Sequence, residues 1–347
     1  MQVSRMEAKE QTCLFSFGLI ADIQYADVDN RPNFRQNCVR YYRNSLELLK
    51  EAVRHWSGDS CASKPSFVMQ LGDIIDGINK RGGKKQSFQA LNVVINEFDK
   101  AGCDTHHILG NHEFYNFTRA EIASSRLLSG INFETTEVDT TCSCISELIP
   151  ATAEVPPAAY YHFSPCPGFR CVVLDTYDVS TLGHDKSCSI HQDSMNLLRS
   201  VNKNECLNSP DGLQGIDRRF VEYNGGMGES QLRWLEGVLQ KASNDQEKVI
   251  IFGHAPFHPT IEVDCCLWNY KDVLQLLHSF SCVVAVFSGH VHFFSHIVDE
   301  KGIHVVTMPG IIEIAPGSNG FGTVEVYQDK LVLHGNGEVR SCVMSFS

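Results

Sequence analysis

The chain has 347 residues, 43% of them apolar and 20% charged, with a formal net charge of −12 when histidine is neutral. That acidity argues against nucleic acid as the main partner, because phosphate backbones reward basic patches. No apolar run of about 18 residues occurs, so no helical membrane span is expected.

Residues 1–12 are polar and lack the apolar stretch of a signal peptide. They read as a flexible N-terminal segment ahead of one domain over 13–347. With no export signal, the 14 cysteines, none in a Cys-x-x-Cys pair, read as reduced thiols of a cytoplasmic protein. In chain order, an apolar run at 14–21 ends in Asp22-Ile23-Gln24, and helical spacing follows over 40–56. A second run, 67–71, ends in Gly72-Asp73, before a shorter helix at 88–98. A third, 106–109, leads into Gly110-Asn111-His112-Glu113. Two stretches read as insertions: 134–158, a Thr-, Cys- and Pro-rich surface loop, and 177–226, long and irregular, a candidate substrate lid. A helix at 229–242 puts Leu232, Leu235, Val238 and Leu239 on one face. The fourth run, 248–252, leads into Gly253-His254. After a helix at 272–280, the fifth, 282–287, leads into Gly289-His290-Val291-His292. Late apolar runs at 303–308, 323–327 and 331–334 suggest a second sheet. The alternation predicts an α/β fold, a two-sheet core with helices outside.

Each polar cluster alone has an ordinary reading. Asp-x-Gln and Gly-Asp after a strand are more often turns, and a single Gly-His is weak. His290 and His292, two apart on an extended segment, point to one side and suit two ligands of a metal pair. The order of the five clusters carries more than any one of them. Each closes a strand, and strand ends on one sheet edge converge on one crevice. That crevice would hold carboxylate and amide oxygens and three imidazoles, while the glycines let the backbone turn sharply.

This ordered set resembles the calcineurin-like metallophosphoesterase superfamily, over nearly the whole chain from Leu14 to about His334. The resemblance implies an αββα two-sheet sandwich and a dinuclear metal site. It implies that Asp22, Gln24 and His292 bind one ion, that Asn111, His254 and His290 bind the other, and that Asp73 bridges them. His112 is implied to face the substrate phosphate as the catalytic residue, protonating the leaving oxygen or stabilising charge. One departure is informative. The usual first motif is Asp-x-His, and here it is Asp22-Ile23-Gln24. A neutral amide oxygen is harder than imidazole, which favours Mn²⁺, with Mg²⁺ the alternative.

Gln24 also marks a narrower branch, the manganese-dependent ADP-ribose/CDP-alcohol diphosphatases. Several stretches resemble that branch: Gly72-Asp73-Ile74-Ile75-Asp76-Gly77, Gly110-Asn111-His112-Glu113-Phe114-Tyr115-Asn116-Phe117, Leu207-Asn208-Ser209-Pro210, Asn224-Gly225-Gly226 and Trp268-Asn269-Tyr270. The branch implies hydrolysis of ADP-ribose to AMP and ribose 5-phosphate, and of CDP-alcohols such as CDP-choline to CMP and a phospho-alcohol, by a metal-bridging hydroxide. Phe34, Leu207 and Cys265 are then expected at the nucleotide base. Arg31, Arg35 and Lys80 are expected near the distal phosphate or ribose. Asp76 and Glu113 are expected to orient ligands. His106 and His107 are expected to pack within a strand. Two other readings stay open on the residues alone: a different metallophosphoesterase, such as a cyclic-nucleotide phosphodiesterase or a phosphatase, and a non-catalytic scaffold on the same fold. No sustained heptad pattern occurs, so a monomer with a small nucleotide partner is expected, with no nucleic acid and no membrane.

Overall fold

The structure, a computed structural model, describes residues 12–58, 64–128 and 159–346. Nearly all of the expected N-terminal segment, and the insertion placed at 134–158, lie outside those residues. The chain runs β1 (Phe15–Ile20), α1 (Asn44–Ser57), β2 (Phe67–Gln70), α2 (Gly83–Phe98), β3 (Asp104–His107) and α3 (Asn111–Asn116). Then come β4 (Tyr161–Cys166), β5 (Phe169–Val173), α4 (Ser189–Val201), α5 (Glu229–Asn244), β6 (Lys248–Phe252), α6 (Tyr270–His278) and β7 (Val283–Ser288). The last strands are β8 (Ser295–Val298), β9 (His304–Thr307), β10 (Gly322–Val326), β11 (Lys330–Gly335) and β12 (Cys342–Ser345).

Two six-stranded sheets form, in the orders β12-β11-β10-β1-β2-β3 and β8-β9-β7-β6-β5-β4. In the first, β1, β2 and β3 are parallel. In the second, β5, β6, β7 and β9 are parallel. Alternation along β1 sends Phe15, Phe17 and Leu19 into the layer between the sheets. Phe17 stacks on Phe67 at 5.2 Å and meets the edges of Phe252 and Phe287 of the other sheet at 5.5 and 5.9 Å. Helices α1 and α2 cover the outer face of the first sheet, and α5 and α6 that of the second. The result is an αββα sandwich.

The late strands differ from expectation. They do not make a sheet of their own. β9 joins the second sheet beside β7, while β10 and β11 complete the first. The register explains why: Phe15 and Phe17 pair with Val326 and Val324, which puts those valines on the same inner face. The strand expected at 106–109 sits two residues earlier. The insertion at 177–226 is not irregular throughout, since it carries the 13-residue helix α4. Strands β4, β5, β8 and β12 were not expected.

Trp56 closes the outer layer. It is 1% exposed, sits edge-on to Phe321 at 5.5 Å, and lies where any side chain at Gly18 of β1 would come within 2.7 Å of it. Trp56→Ala is therefore expected to destabilise the fold by about 3–5 kcal/mol. Denaturant unfolding measures this, and a loss under about 1 kcal/mol would show that α1 does not pack as described.

Candidate metal centre

The parallel strands send their carboxyl ends to one edge, and the backbone stays cross-linked beyond them. Asp22 N–H donates to the Gly72 carbonyl at 3.1 Å, Gln24 N–H to Asp73 at 2.9 Å, and Gly289 N–H to His254 at 3.0 Å. A parallel bridge between Ala21 and Gly310 ties the two sheets together there. The residues at this edge are bent into left-handed backbone: φ is 51° at Asp22, 43° at Gln24, 57° at Asp73, 71° at His290 and 62° at His292. Such a conformation costs a side-chain-bearing residue about 1–3 kcal/mol and persists only where its surroundings hold it. Among the described non-glycine residues, only Gln36 and Gln246 share it. Backbone also approaches closely. A Cβ at Gly110 would lie 2.3 Å from Asp73 Oδ1, and one at Gly72, φ 97°, 2.3 Å from His254 Nδ1.

The structure brings all seven expected ligands together. Gln24 Nε2 lies 3.1 Å from Asp73 Oδ2 and 3.0 Å from His292 Nε2, and His292 Nε2 lies 3.2 Å from Asp22 Oδ1. His254 Nε2 is 3.2 Å from His290 Nδ1 and 3.4 Å from Asp73 Oδ2. The hydroxyl of Tyr177 donates to Asn111 Oδ1 at 3.2 Å, and its ring lies 6.1 Å from His254.

Acceptor-only partners fix the imidazole tautomers. His254 Nδ1–H donates to the Leu71 carbonyl at 2.7 Å, His290 Nε2–H to Asn224 Oδ1 at 2.9 Å, and His292 Nδ1–H to Glu313 Oε1 at 3.1 Å. In each ring the other nitrogen faces the centre, where an ion that displaces any proton there can take its lone pair. His254 Nε2 and His290 Nδ1 thus face each other at 3.2 Å, a contact that needs a proton or a cation between them. Gln24 Oε1 is buried without a hydrogen-bond partner, and a half-turn of its amide puts that oxygen among the carboxylates. The donor set is oxygen-rich with imidazoles, which suits Mn²⁺. These residues fit two divalent ions.

His112 stands apart. Its Nδ1 accepts the Gly77 N–H at 2.8 Å, so Nε2 carries the proton, 3.9 Å from Asp73 Oδ2. Burial pushes its imidazole below the usual value, against the pull of Asp73 and Asp76. Asp76 Oδ2 lies 3.4 Å from Nδ1 and is itself held by Arg40 at 2.9 Å. Arg40 also approaches Glu313 at 3.7 Å, so one half-buried guanidinium steadies the partners of both His112 and His292. Glu113 accepts backbone N–H groups from Asp73, Ile74 and Gly110 at 2.7–2.9 Å, which pins the turn carrying Asp73.

Three supporting residues, Glu313, Arg40 and Tyr177, were not anticipated. Asn224 stands in the sequence only within the resembling stretch Asn224-Gly225-Gly226. The one signal for Glu313 is a lone carboxylate inside the apolar stretch Ile311-Ile312-Glu313-Ile314. The residues expected at the base are more scattered. Phe34 is 71% exposed on its loop, while Cys265 is buried beside Asp264. Leu207 is buried in a small core with Leu198, Phe220 and Trp268. Lys80 lies over the ring of Tyr115. His106 and His107 do pack on β3, His106 against Phe163 and Tyr161 and His107 against Phe98.

Burial pushes the His254 and His292 imidazoles down, but Asp73 and Asp22 more than reverse this, and the two rise to about 9 and about 10. At neutral pH both therefore carry a proton when no ion competes. An ion needs their lone pairs, so loading must expel those protons, and affinity must climb with pH until about 10. Calorimetric Mn²⁺ titrations near neutral pH, in buffers of different ionisation enthalpy, should report net proton release. Binding with no proton release would contradict the assignment of these imidazoles.

The profile of the family described as Calcineurin-like phosphoesterase matches residues 15–294. The chain is 44% identical over 340 residues to a Xenopus tropicalis protein named manganese-dependent ADP-ribose/CDP-alcohol diphosphatase, covering 98% of this chain and 95% of that one. It is 41% identical over 336 residues to a Homo sapiens protein of the same name, covering 96% and 93%. Among solved structures, a dimetal phosphatase from Danio rerio superimposes with a TM-score of 0.85 at 38% identity, over 97% of this chain and 100% of that one.

Proposed function

The chain belongs to the calcineurin-like phosphoesterase family, and on that premise we propose that it is a manganese-dependent hydrolase of nucleoside diphosphate derivatives. It cuts the pyrophosphate bond, taking ADP-ribose to AMP and ribose 5-phosphate and CDP-alcohols to CMP and a phospho-alcohol. The observation that carries this is the near-complete alignment, above 40% identity, with relatives named for that activity.

Asp22, Gln24 and His292 would hold one ion, and Asn111, His254 and His290 the other, with Asp73 between them. When bound, two divalent cations supply Lewis acidity, neutralising phosphate charge and lowering the pKa of water towards neutrality. The chain's own residues do the rest. Asn224, Glu313 and the Leu71 carbonyl keep the three rings in the productive tautomer. His112 presents Nε2–H to the phosphate as a hydrogen-bond donor, with the ring held in place by the Gly77 N–H on Nδ1 and Asp76 behind it.

A panel of ADP-ribose, CDP-choline, a cyclic nucleotide and a phosphomonoester, assayed in Mn²⁺ with product identification, tests the proposal. The expected products are AMP and CMP from the first two. Preference for the cyclic nucleotide or the monoester would sink the diphosphatase reading. Absence of turnover in excess Mn²⁺ would favour a scaffold. The proposal extends to a cytoplasmic monomer acting on small nucleotides. The acidic charge and the eleven described cysteines, all free thiols, support it. Light scattering after size exclusion and microscopy of the tagged protein check those two points. No described helix is long and apolar enough to cross a membrane.

A further inference from the structure

Substrates of the proposed reaction carry two phosphates, and the metal centre accounts for one. We infer that Arg35 and Arg218, converging on Asp264, seat the second phosphate and set the preference for pyrophosphates over esters with one phosphate. The inference rests on the diphosphatase reading above.

Arg218 Nε and Nη2 donate to Asp264 Oδ1 and Oδ2 at 2.6 and 2.7 Å, and Arg35 Nη2 donates to Oδ2 at 3.1 Å. Two guanidiniums share one carboxylate, leaving a positive excess on a chain of net charge −12. Among the described residues, Asp264 is the one carboxylate paired with either arginine. Its side chain is 5% exposed, while those of Arg35 and Arg218 are 47% and 39% exposed. The carboxylate is thus the fixed post, and both arginines keep N–H donors turned to solvent.

The seat adjoins the metal centre. The Asp264 carbonyl accepts from Asn224 Nδ2 at 2.7 Å, and Asn224 Oδ1 accepts from the metal-facing His290 at 2.9 Å. The Tyr223 ring lies 5.7 Å from His290. Three separate segments meet here: the loop bearing exposed Phe34 and Arg35, the 177–226 insertion bearing Arg218, and the turn Val263–Cys265. A substrate held by one phosphate at the metal centre and by its base near Phe34 passes this rim with its other phosphate. Guanidinium forks match phosphate oxygens in pairs, and Asp264 holds them ready before substrate arrives. An ester with one phosphate has nothing to place there.

The test compares kcat/KM for CDP-choline with that for bis(p-nitrophenyl) phosphate, in saturating Mn²⁺, for wild type, Arg218→Met, Arg218→Lys and Arg35→Met. The ratio should fall about tenfold to a hundredfold in Arg218→Met, mostly through KM for CDP-choline, since hydrogen bonds to charged groups are worth that much. Arg218→Lys should recover part of it. A ratio unchanged from wild type, with both substrates losing alike, would reduce the arginines to props and overturn the inference. If Arg218→Met melts early or binds less Mn²⁺, Arg35→Met decides by the same ratio, because it leaves the two bonds from Arg218 to Asp264 in place. Wild type that cleaves the diester but not CDP-choline sinks the diphosphatase reading itself. Wild type that cleaves both, with an unaltered ratio in the variants, removes only the arginine seat.

Discussion

Asp73→Ala is expected to abolish Mn²⁺-dependent turnover, a loss on the order of 10³-fold or more in kcat/KM, and to strip both ions. The reason is position. Asp73 Oδ2 reaches Gln24 at 3.1 Å on one side and His254 at 3.4 Å on the other, and its ligand atoms group with those of His254 and His290. Asp22, the neighbouring carboxylate, contacts the side chains of Gln24 and His292 but reaches His290 only through its backbone N–H. Burial works against the Asp73 carboxylate, but His254 and then His112 hold it well below the usual carboxylate range, so it is charged wherever the enzyme works. Asp73→Asn keeps the shape and removes the charge, so it should fail nearly as badly. Metal analysis of either purified variant that still found two ions per chain would remove Asp73 from the bridging position.

His112→Ala should act differently. It is expected to lower kcat by about 10²–10⁴-fold while both ions stay bound. The ring is tied to the Gly77 N–H and backed by Asp76, so its Nδ1 is occupied and only Nε2–H faces the centre. A nitrogen carrying a proton is a donor to phosphate, not a metal ligand. Inductively coupled plasma analysis alongside steady-state kinetics separates the two roles. If ions are lost in step with activity, His112 is a ligand and its assignment as hydrogen-bond donor is wrong.

The residues most legible in the sequence were those with local signals. The strand at Lys248–Phe252 has the bounds its apolar run predicts, and α5 starts at the expected Glu229. The seven candidate ligands stand out only as an ordered set, since each sits in a short polar cluster just past a strand and alone reads as a turn; the family resemblance supplies their roles. The third strand was misplaced because Ile108 and Leu109 are as apolar as a strand core, yet they form the link to Gly110, while the ladder uses Asp104 to His107. The sheet membership of β10 and β11 was not legible at all. Apolar alternation says that a strand has a buried face, not which sheet it joins, and only pairing with β1 decides that. The supporting shell was hidden for a similar reason. Glu313, Arg40 and Asn224 act through partners remote in sequence, so nothing adjacent to them announces their role. Leu207 shows the converse, since its family stretch is recognisable but its side chain is buried against Trp268.

The seven side chains at one strand edge are proposed to hold two ions, and anomalous diffraction at the manganese edge, from crystals grown in Mn²⁺, would locate them. Two peaks roughly 3.5–4 Å apart are predicted, with Asp73 between them, Gln24 and His292 on one, and His254 and His290 on the other. A single peak, or peaks away from these residues, would contradict that proposal.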